Sequence, residues 1–516
     1  MLEFVQRHAG NVIGVLSGFD RMLFRGTQRM LASACGLMNY LWSIQVLLKD
    51  FGDWSEELTR QLRAGSEQVM VDAGRPCQYL NNPAVSKEDL ARRIAQRDGI
   101  ESGPICLISA VEPCWSYEVV KNRSKKKLVL EPRYRKCLHL YHYHQHPQLG
   151  LLHVRVQTWL PFGMRVCLNG REWLCRQLDQ AGIGYERRDN CLATVSDLRR
   201  TQELLDEQLA TNWPALLNGL ERAANPARPS LLKMAGRPLE YYWSVDQSEW
   251  ATDVMFKNPA ALAAVYPRLL RQGMLTLGSV DVLRFLGKKL HGRFAGEVCT
   301  DLKRRTDGTR LKHRVNGNSV KMYDKQGSVL RVETTINDAS GFKVFRGTEA
   351  EPAKKQWRQM RKGIADLHRR AEVSGASNRR YLSHLAAIEC PETLRQVLTP
   401  LTKALTVNGR RHRGLRLLAQ DDGQLLEAVS QGEFTLNGFR NGDIRSKLFG
   451  ADGDEQQTRR RCGQVSRKLA LLRAHGLVRR VPRTRRWMLT TKGSQVATLL
   501  AAAQNASAQE LMGKAA

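Results

Sequence analysis

Between Asn441 and Leu500 the order of elements is more tightly specified than anywhere else in the chain. A short helix is predicted over NGDIRSKLFG and a longer one over TRRRCGQVSRKLALLRAHG, where Val465, Leu469 and Leu472 share a face and Gly476 supplies the stop. LVRRVPRTRRWMLT then reads as two short strands around a basic turn, and a closing helix is expected from Lys492. Residues 411–502 should therefore fold as a small domain of their own, with 503–516 as a flexible tail.

The charge of this unit points to a polyanionic partner. Gln456 to Lys492 holds twelve Lys+Arg and no Asp or Glu, and the 516-residue chain carries 81 Lys+Arg against 50 Asp+Glu, a net +31. Self-repulsion on that scale argues against a neutral-metabolite enzyme and for nucleic acid first, anionic membrane second. An apolar fraction of 42% excludes a disordered chain. The longest charge-free apolar stretch, Leu31 to Leu48, includes Ser33, Asn39, Ser43 and Gln45 and falls short of roughly 20 strongly apolar residues, so a buried helix is expected and no membrane partner. No targeting segment is apparent, which implies a cytoplasmic protein. Eleven cysteines without a CxxC spacing read as reduced thiols.

Roughly 60 to 90 C-terminal residues resemble the winged helix-turn-helix DNA-binding domains of bacterial regulators. The likeness rests on Leu472-Arg473-Ala474-His475-Gly476-Leu477-Val478 and Leu489-Thr490-Thr491-Lys492-Gly493. In such domains the second helix enters the major groove and the strand pair lies on the backbone. That implies Gln464, Ser466, Arg467 and Lys468 near bases and Arg479, Arg480, Arg483, Arg485 and Arg486 near phosphates. Most of residues 1–350 resemble a set of bacterial proteins sharing GVLSGFDRMLFRGT, RYRKCLHLYHYH, QTWLPF and QSEWATDVMF, and that likeness implies no particular activity.

The expected fold class is mixed α/β (α+β), in several domains. Residues 1–230 form a basic α/β domain closed by NPARPS, and 231–400 a mixed α/β domain ending in a long amphipathic helix. That helix is read from Trp357, Met360, Ile364, Leu367 and Ala371, which step by three and four. Lys136 to Pro161 reads as a β-hairpin, and Arg310 to Ile336 as strands reversing at Asn316-Gly317 and Gln326-Gly327.

Two catalytic arrangements are open. Asp20, Glu112 and Glu333 follow or sit in apolar strand-like runs, where acids that hold Mg²⁺ or Mn²⁺ are displayed. The strings SVKMYDK and VLRVET also look like strands of some plasmid and phage replication initiators, implying a role for Tyr323 or Glu333. Alternatively His142, His144 and His146 alternate on one strand and could ligate a metal beside Tyr241 as nucleophile, as in nickases of the HUH class. Asp246, Glu249 and Asp253 would share a face if helical. Each acid could equally pair with a neighbouring arginine. Lys121 to Lys136 mixes tyrosine with eight basic residues, among them Lys125, Lys126, Lys127, Arg133 and Arg135; Asp301 to Lys325, with Arg304 and Arg305, repeats the pattern and suits a nucleic-acid backbone.

These features lead to a nucleic-acid-binding protein, with duplex DNA favoured, associated with a mobile element or replicon. The alternatives are a metal-dependent DNA endonuclease, nickase or strand-transfer enzyme, and a protein that binds structured RNA or single-stranded DNA. No Walker loop, GxGxxG after a strand, HExxH or GxSxG is present, which removes ATPase, dehydrogenase, zincin and esterase readings.

Overall fold

The computed structural model describes residues 3–505 except 125, 276–281, 284, 287–297, 306–307, 349–350, 352, 355, 389–393, 419, 431–433, 435–437, 451–453 and 482–483. Lys125, Arg483 and the tail beyond 505 thus lie outside the described residues.

Alternating apolar runs between turn residues produce long strands. In chain order these are β1 (Val12–Thr27), β2 (Cys77–Tyr79), β3 (Gly103–Asn122), β4 (Lys127–His146), β5 (Gly150–Gln157), β6 (Met164–Asn169), β7 (Tyr185–Arg188), β8 (Cys191–Val195), β9 (Lys233–Met234), β10 (Arg237–Pro238) and β11 (Tyr242–Phe256). They continue as β12 (Val298–Arg305), β13 (Gly308–Val315), β14 (Asn318–Lys325), β15 (Val329–Ile336), β16 (Lys343–Arg346), β17 (Gln356–Gln359), β18 (Leu405–Val407), β19 (Arg410–His412), β20 (Val478–Arg480) and β21 (Trp487–Leu489). Eleven of them form one sheet, in the order β12-β13-β14-β15-β11-β1-β6-β5-β4-β3-β2. Only its β2–β3 edge pair is parallel. The expected reversals hold: Asn316 and Gln326 take φ of 50° and 51°, each followed by glycine.

Alternation gives each strand two faces. On one, Val254, Leu330 and Val332 pack against Tyr381 and Leu382 of the helix Leu367–Ile388. On the other, Leu16, Met255 and Val329 pack on the helices Gly170–Gln180 and Leu198–Glu207.

The mixed α/β class holds, but three expectations change. β1 pairs with β11, so strands from both sides of residue 230 share one sheet rather than forming separate domains. Gln356–Gln359 is a strand paired with β16, and the helix begins only at Leu367, so Trp357 and Met360 precede it. There the three-four spacing coincides with a strand and a short 3₁₀ turn whose Asp366 accepts the Arg361 amide at 2.8 Å. Arg370 of the helix is buried and donates to Val245 O and Ile336 O. Tyr242–Phe256 is likewise extended, which splits Asp246 from Glu249 and Asp253.

The C-terminal order follows expectation. Helices Asn441–Phe449 and Glu455–Ala474 precede the antiparallel pair β20–β21 and the helix Thr491–Asn505, around a core that contains Ile444, Val465, Leu469, Leu472 and Val496. Among the described residues no helix is long and apolar enough to cross a membrane.

Leu382 is fully buried between its helix and the sheet. Leu382→Ala should lower stability by about 2–5 kcal/mol, measured by chemical denaturation.

Candidate metal centre

The centre is built where β1 departs from regular pairing. Phe19 lies opposite Trp250 and Arg21 opposite Glu249, which leaves Asp20 as an extra residue, a β-bulge. The following helix fixes the bulge in place. Asn169 at the end of β6 caps it, accepting the amides of Arg171 and Glu172, and a Cβ at Gly170 would sit 1.9 Å from Phe19 O, so only glycine allows this approach.

Asp20 is held by buried cations. Arg331 of β15 donates to Asp20 Oδ1 at 3.1 Å and to both oxygens of Asp253 at 2.6 and 2.9 Å. Arg171 lies 2.9 Å from Asp253 Oδ2, and Asn190 Nδ2 donates to Asp20 Oδ1 at 2.8 Å. Burial pulls Asp253 upward, yet Arg331 and Arg171 outweigh it and hold the carboxyl below its ordinary 3.8. Asp20 behaves oppositely: burial raises it, and Glu333 and Asp253 add to the rise against the pull of Arg331 and Arg171.

Glu249 and Glu333 complete the cluster. The candidate ligand oxygens of Asp20, Glu249 and Glu333 lie within 4.8 Å of one another, and these three residues could hold a metal ion. Lys321, opposite Glu333 on β14, donates to Glu333 Oε1 and, at 3.3 Å, to Glu249 Oε1. Burial raises the Glu333 carboxyl, and Glu249 raises it further despite Lys321. Among the described residues, the hydrogen bonds on the triad fall on Asp20 Oδ1, Glu249 Oε1 and Glu333 Oε1, leaving the second oxygen of each without one. The wider cluster sets four carboxylates, counting Asp253, against Lys321, Arg331 and Arg171. Arg21 also acts on Glu249 and Lys325 on Asp253, so the cluster's acids are matched by cations rather than in surplus.

A cleft of about 150 Å³ reaches the cluster, lined by Asp20, Glu249, Arg21, Asn169, Asn190 and His153. A second, of about 400 Å³, shares Asn169 and Asn190 and adds Arg92 and Arg187.

The structure thus joins Asp20 and Glu333, and adds Glu249 and Lys321, which sequence reasoning did not place there. Glu112 is elsewhere: on β3, it accepts from Tyr141 at 2.6 Å and pairs with Arg155 and Lys87. Tyr241 is buried, donates to Phe162 O at 2.7 Å, and lies under the Arg228 guanidinium, so it is not placed as a nucleophile. His142, His144 and His146 form no metal-binding group among the described residues. His142 is fully buried, with burial first and His144 second pushing it down to about 3, and His146 Nδ1 accepts the amides of Gln148 and Leu149.

Of the backbone candidates, Lys126, Lys127, Arg133, Arg135, Arg304 and Arg305 are exposed. Arg133 pairs with Glu118, and Arg135 lies over the Trp159 ring. In the C-terminal unit Ser466, Arg467, Arg479, Arg480 and Arg485 are exposed, Gln464, Lys468 and Arg486 half-buried, and Ser466 Oγ accepts from Asn441.

A scan against protein-family models finds no match, and neither do comparisons with curated proteins and with solved structures.

Asp253→Asn leaves two buried guanidiniums short of charge and should cost about 3–5 kcal/mol at pH 7. Because the folded carboxyl is depressed, its contribution is complete above 3.8 and is lost only below it. Urea denaturation at pH 5 and pH 7 should therefore return the same difference.

Proposed function

We propose that the protein binds DNA and hydrolyses a phosphodiester bond at the Asp20–Glu249–Glu333 centre with Mg²⁺ or Mn²⁺. The observation that carries this reading is the meeting of three carboxylates from adjacent strands, each with one oxygen left without a hydrogen bond among the described residues, beside a buried lysine. Oxygen-only donors suit a hard divalent cation. Bound there, the ion supplies Lewis-acid charge to a phosphoryl oxygen.

The chain's own residues do the positioning. Arg331 and Arg171 hold Asp253 and, through Oδ1, orient Asp20; Lys321 fixes Glu333 against Glu249. Tyr323 is half-buried beside Lys321, and burial, then Glu333, push its phenol up to about 12, so it stays protonated. With water as the attacking group, its oxygen forms a new bond to phosphorus, one backbone P–O bond breaks, and the leaving oxygen takes up a proton.

The C-terminal unit supports duplex binding as a winged helix-turn-helix, with Arg467 on the second helix, Arg479 and Arg480 on β20 and Arg485 in the turn before β21 exposed for contact. That unit alone would favour the second reading, a DNA-binding protein without catalysis.

Labelled duplex DNA, single-stranded DNA and RNA, each with Mn²⁺ or EDTA, separate these readings on denaturing and native gels. Metal-dependent cleavage of DNA is expected, abolished by Glu333→Gln and by Asp20→Asn while duplex retention persists. Intact strands under every condition would leave the binding protein, and preference for RNA would remove the DNA reading. Replacing Arg479, Arg480 and Arg485 by Ala should weaken duplex binding and flatten its log–log salt dependence by about 0.9 per lost phosphate contact.

Protons should compete with the ion. Asp20 and Glu333 hold protons above the ordinary carboxyl range, so their charge, and with it Mn²⁺ affinity, should rise with pH. Calorimetric titration at pH 5.5 and pH 8 should show tighter binding at pH 8.

A further inference from the structure

A row of arginines crosses the same face of the sheet. Arg25 on β1, Arg165 on β6 and Arg155 on β5 stand directly opposite one another, and Tyr141 on β4 continues the line. Neighbouring strands are about 5 Å apart, and like charges directly opposed on them repel. A row of this kind is unfavourable unless something compensates it.

The protein compensates it only in part. Asp246 Oδ2 receives Arg25 Nε at 3.0 Å and Arg165 Nε at 3.3 Å. Glu112 receives Arg155 at 2.9 Å and Lys87 at 3.2 Å, and also accepts the Tyr141 hydroxyl. Four cations therefore share two carboxylates. The crowding registers on the groups themselves: burial, then Arg155, hold Arg165 below the usual guanidinium range despite Asp246, with Arg25 adding to the depression. His139 is pushed down to about 4 by burial and by Arg155. Arg155 Nε is buried without a hydrogen-bond partner among the described residues. The side chains of Arg25 and Arg165 are 49% and 36% exposed, so an anion can reach the row.

The row is aligned with the acids. Arg21, opposite Glu249, and Arg25 share one face of β1, four residues and about 13 Å apart. A polyanion lying along β1 would meet the arginines at one end of that interval and the carboxylates at the other. A mononucleotide is too short to engage both, whereas a strand with successive phosphates is not.

We propose that Arg25, Arg165 and Arg155 form a seat for the phosphate backbone of a single DNA strand leading to the Asp20–Glu249–Glu333 centre. The direction of the strand rests on that centre being the place of cleavage; the seat itself does not.

The test uses the full chain in EDTA with a fluorescein-labelled 20-nucleotide oligothymidylate, followed by anisotropy across a salt series. Changing Arg25 and Arg165 together to Gln should weaken binding about tenfold or more at low salt and reduce the log–log slope by about 1.4, two contacts at about 0.7 each for a single strand. Changing both to Lys should restore most of the slope. Unaltered affinity and slope in the Gln pair would overturn the seat, as would an equal loss in the Lys pair accompanied by a lowered Tm. Mn²⁺ titration of the unaltered protein is scored separately. Failure to bind the ion would remove the metal centre and the strand's direction, while the Gln and Lys pairs, measured without metal, decide the seat.

Discussion

The guanidinium of Arg331 is the group on which the site depends. It is almost completely buried, and its hydrogen bonds reach Asp253 on β11, Asp20 on β1 and the carbonyl of Asn190 between β7 and β8. A buried charge is tolerated only when its partners are placed to satisfy it, so these segments have little freedom to shift once Arg331 is enclosed. The bulge at Asp20 is stabilised from one side by this contact and from the other by the close approach of Gly170. The cation that anchors the carboxylates is thus distinct from Lys321, which sits between two of them.

This division explains how one cluster contains carboxyls displaced in opposite directions. Asp253 is saturated by two arginines and is held low. Asp20 and Glu333 are as deeply buried but share their cations with other acids, so both are raised. Asp253 is therefore a structural acid and the triad a responsive one, although all four residues occupy neighbouring strands on one face.

Much of this was legible in the sequence where local rules govern. The Asn316-Gly317 and Gln326-Gly327 turns set the hairpins, and Val465, Leu469 and Leu472 with Gly476 set the helix that precedes β20. Counting outward from the Gln326-Gly327 turn also places Lys321 opposite Glu333, a signal present in the sequence but not used. Glu249 was hidden for another reason. Spacings of three and four among Asp246, Glu249 and Asp253 suit a helix, and only pairing with β1 and β15 makes the segment extended. The pairing of β11 with β1 likewise overrode the apparent boundary near residue 230, while at Trp357 a local pairing with β16 replaced the helical periodicity. The bulge at Asp20 leaves no local mark, because it arises from the register of β11, more than 200 residues away.

The position of β1 in the sheet bears on how the chain is made. Its neighbours are β6, which ends at Asn169, and β11, which begins at Tyr242. At about 5–20 residues per second, a ribosome needs roughly 10–40 s after completing β1 to deliver β11. For that interval a 16-residue strand destined for the middle of the sheet keeps an open edge, the kind of surface that recruits stray strands. The acids on β1 and β11 can meet only near the end of that wait.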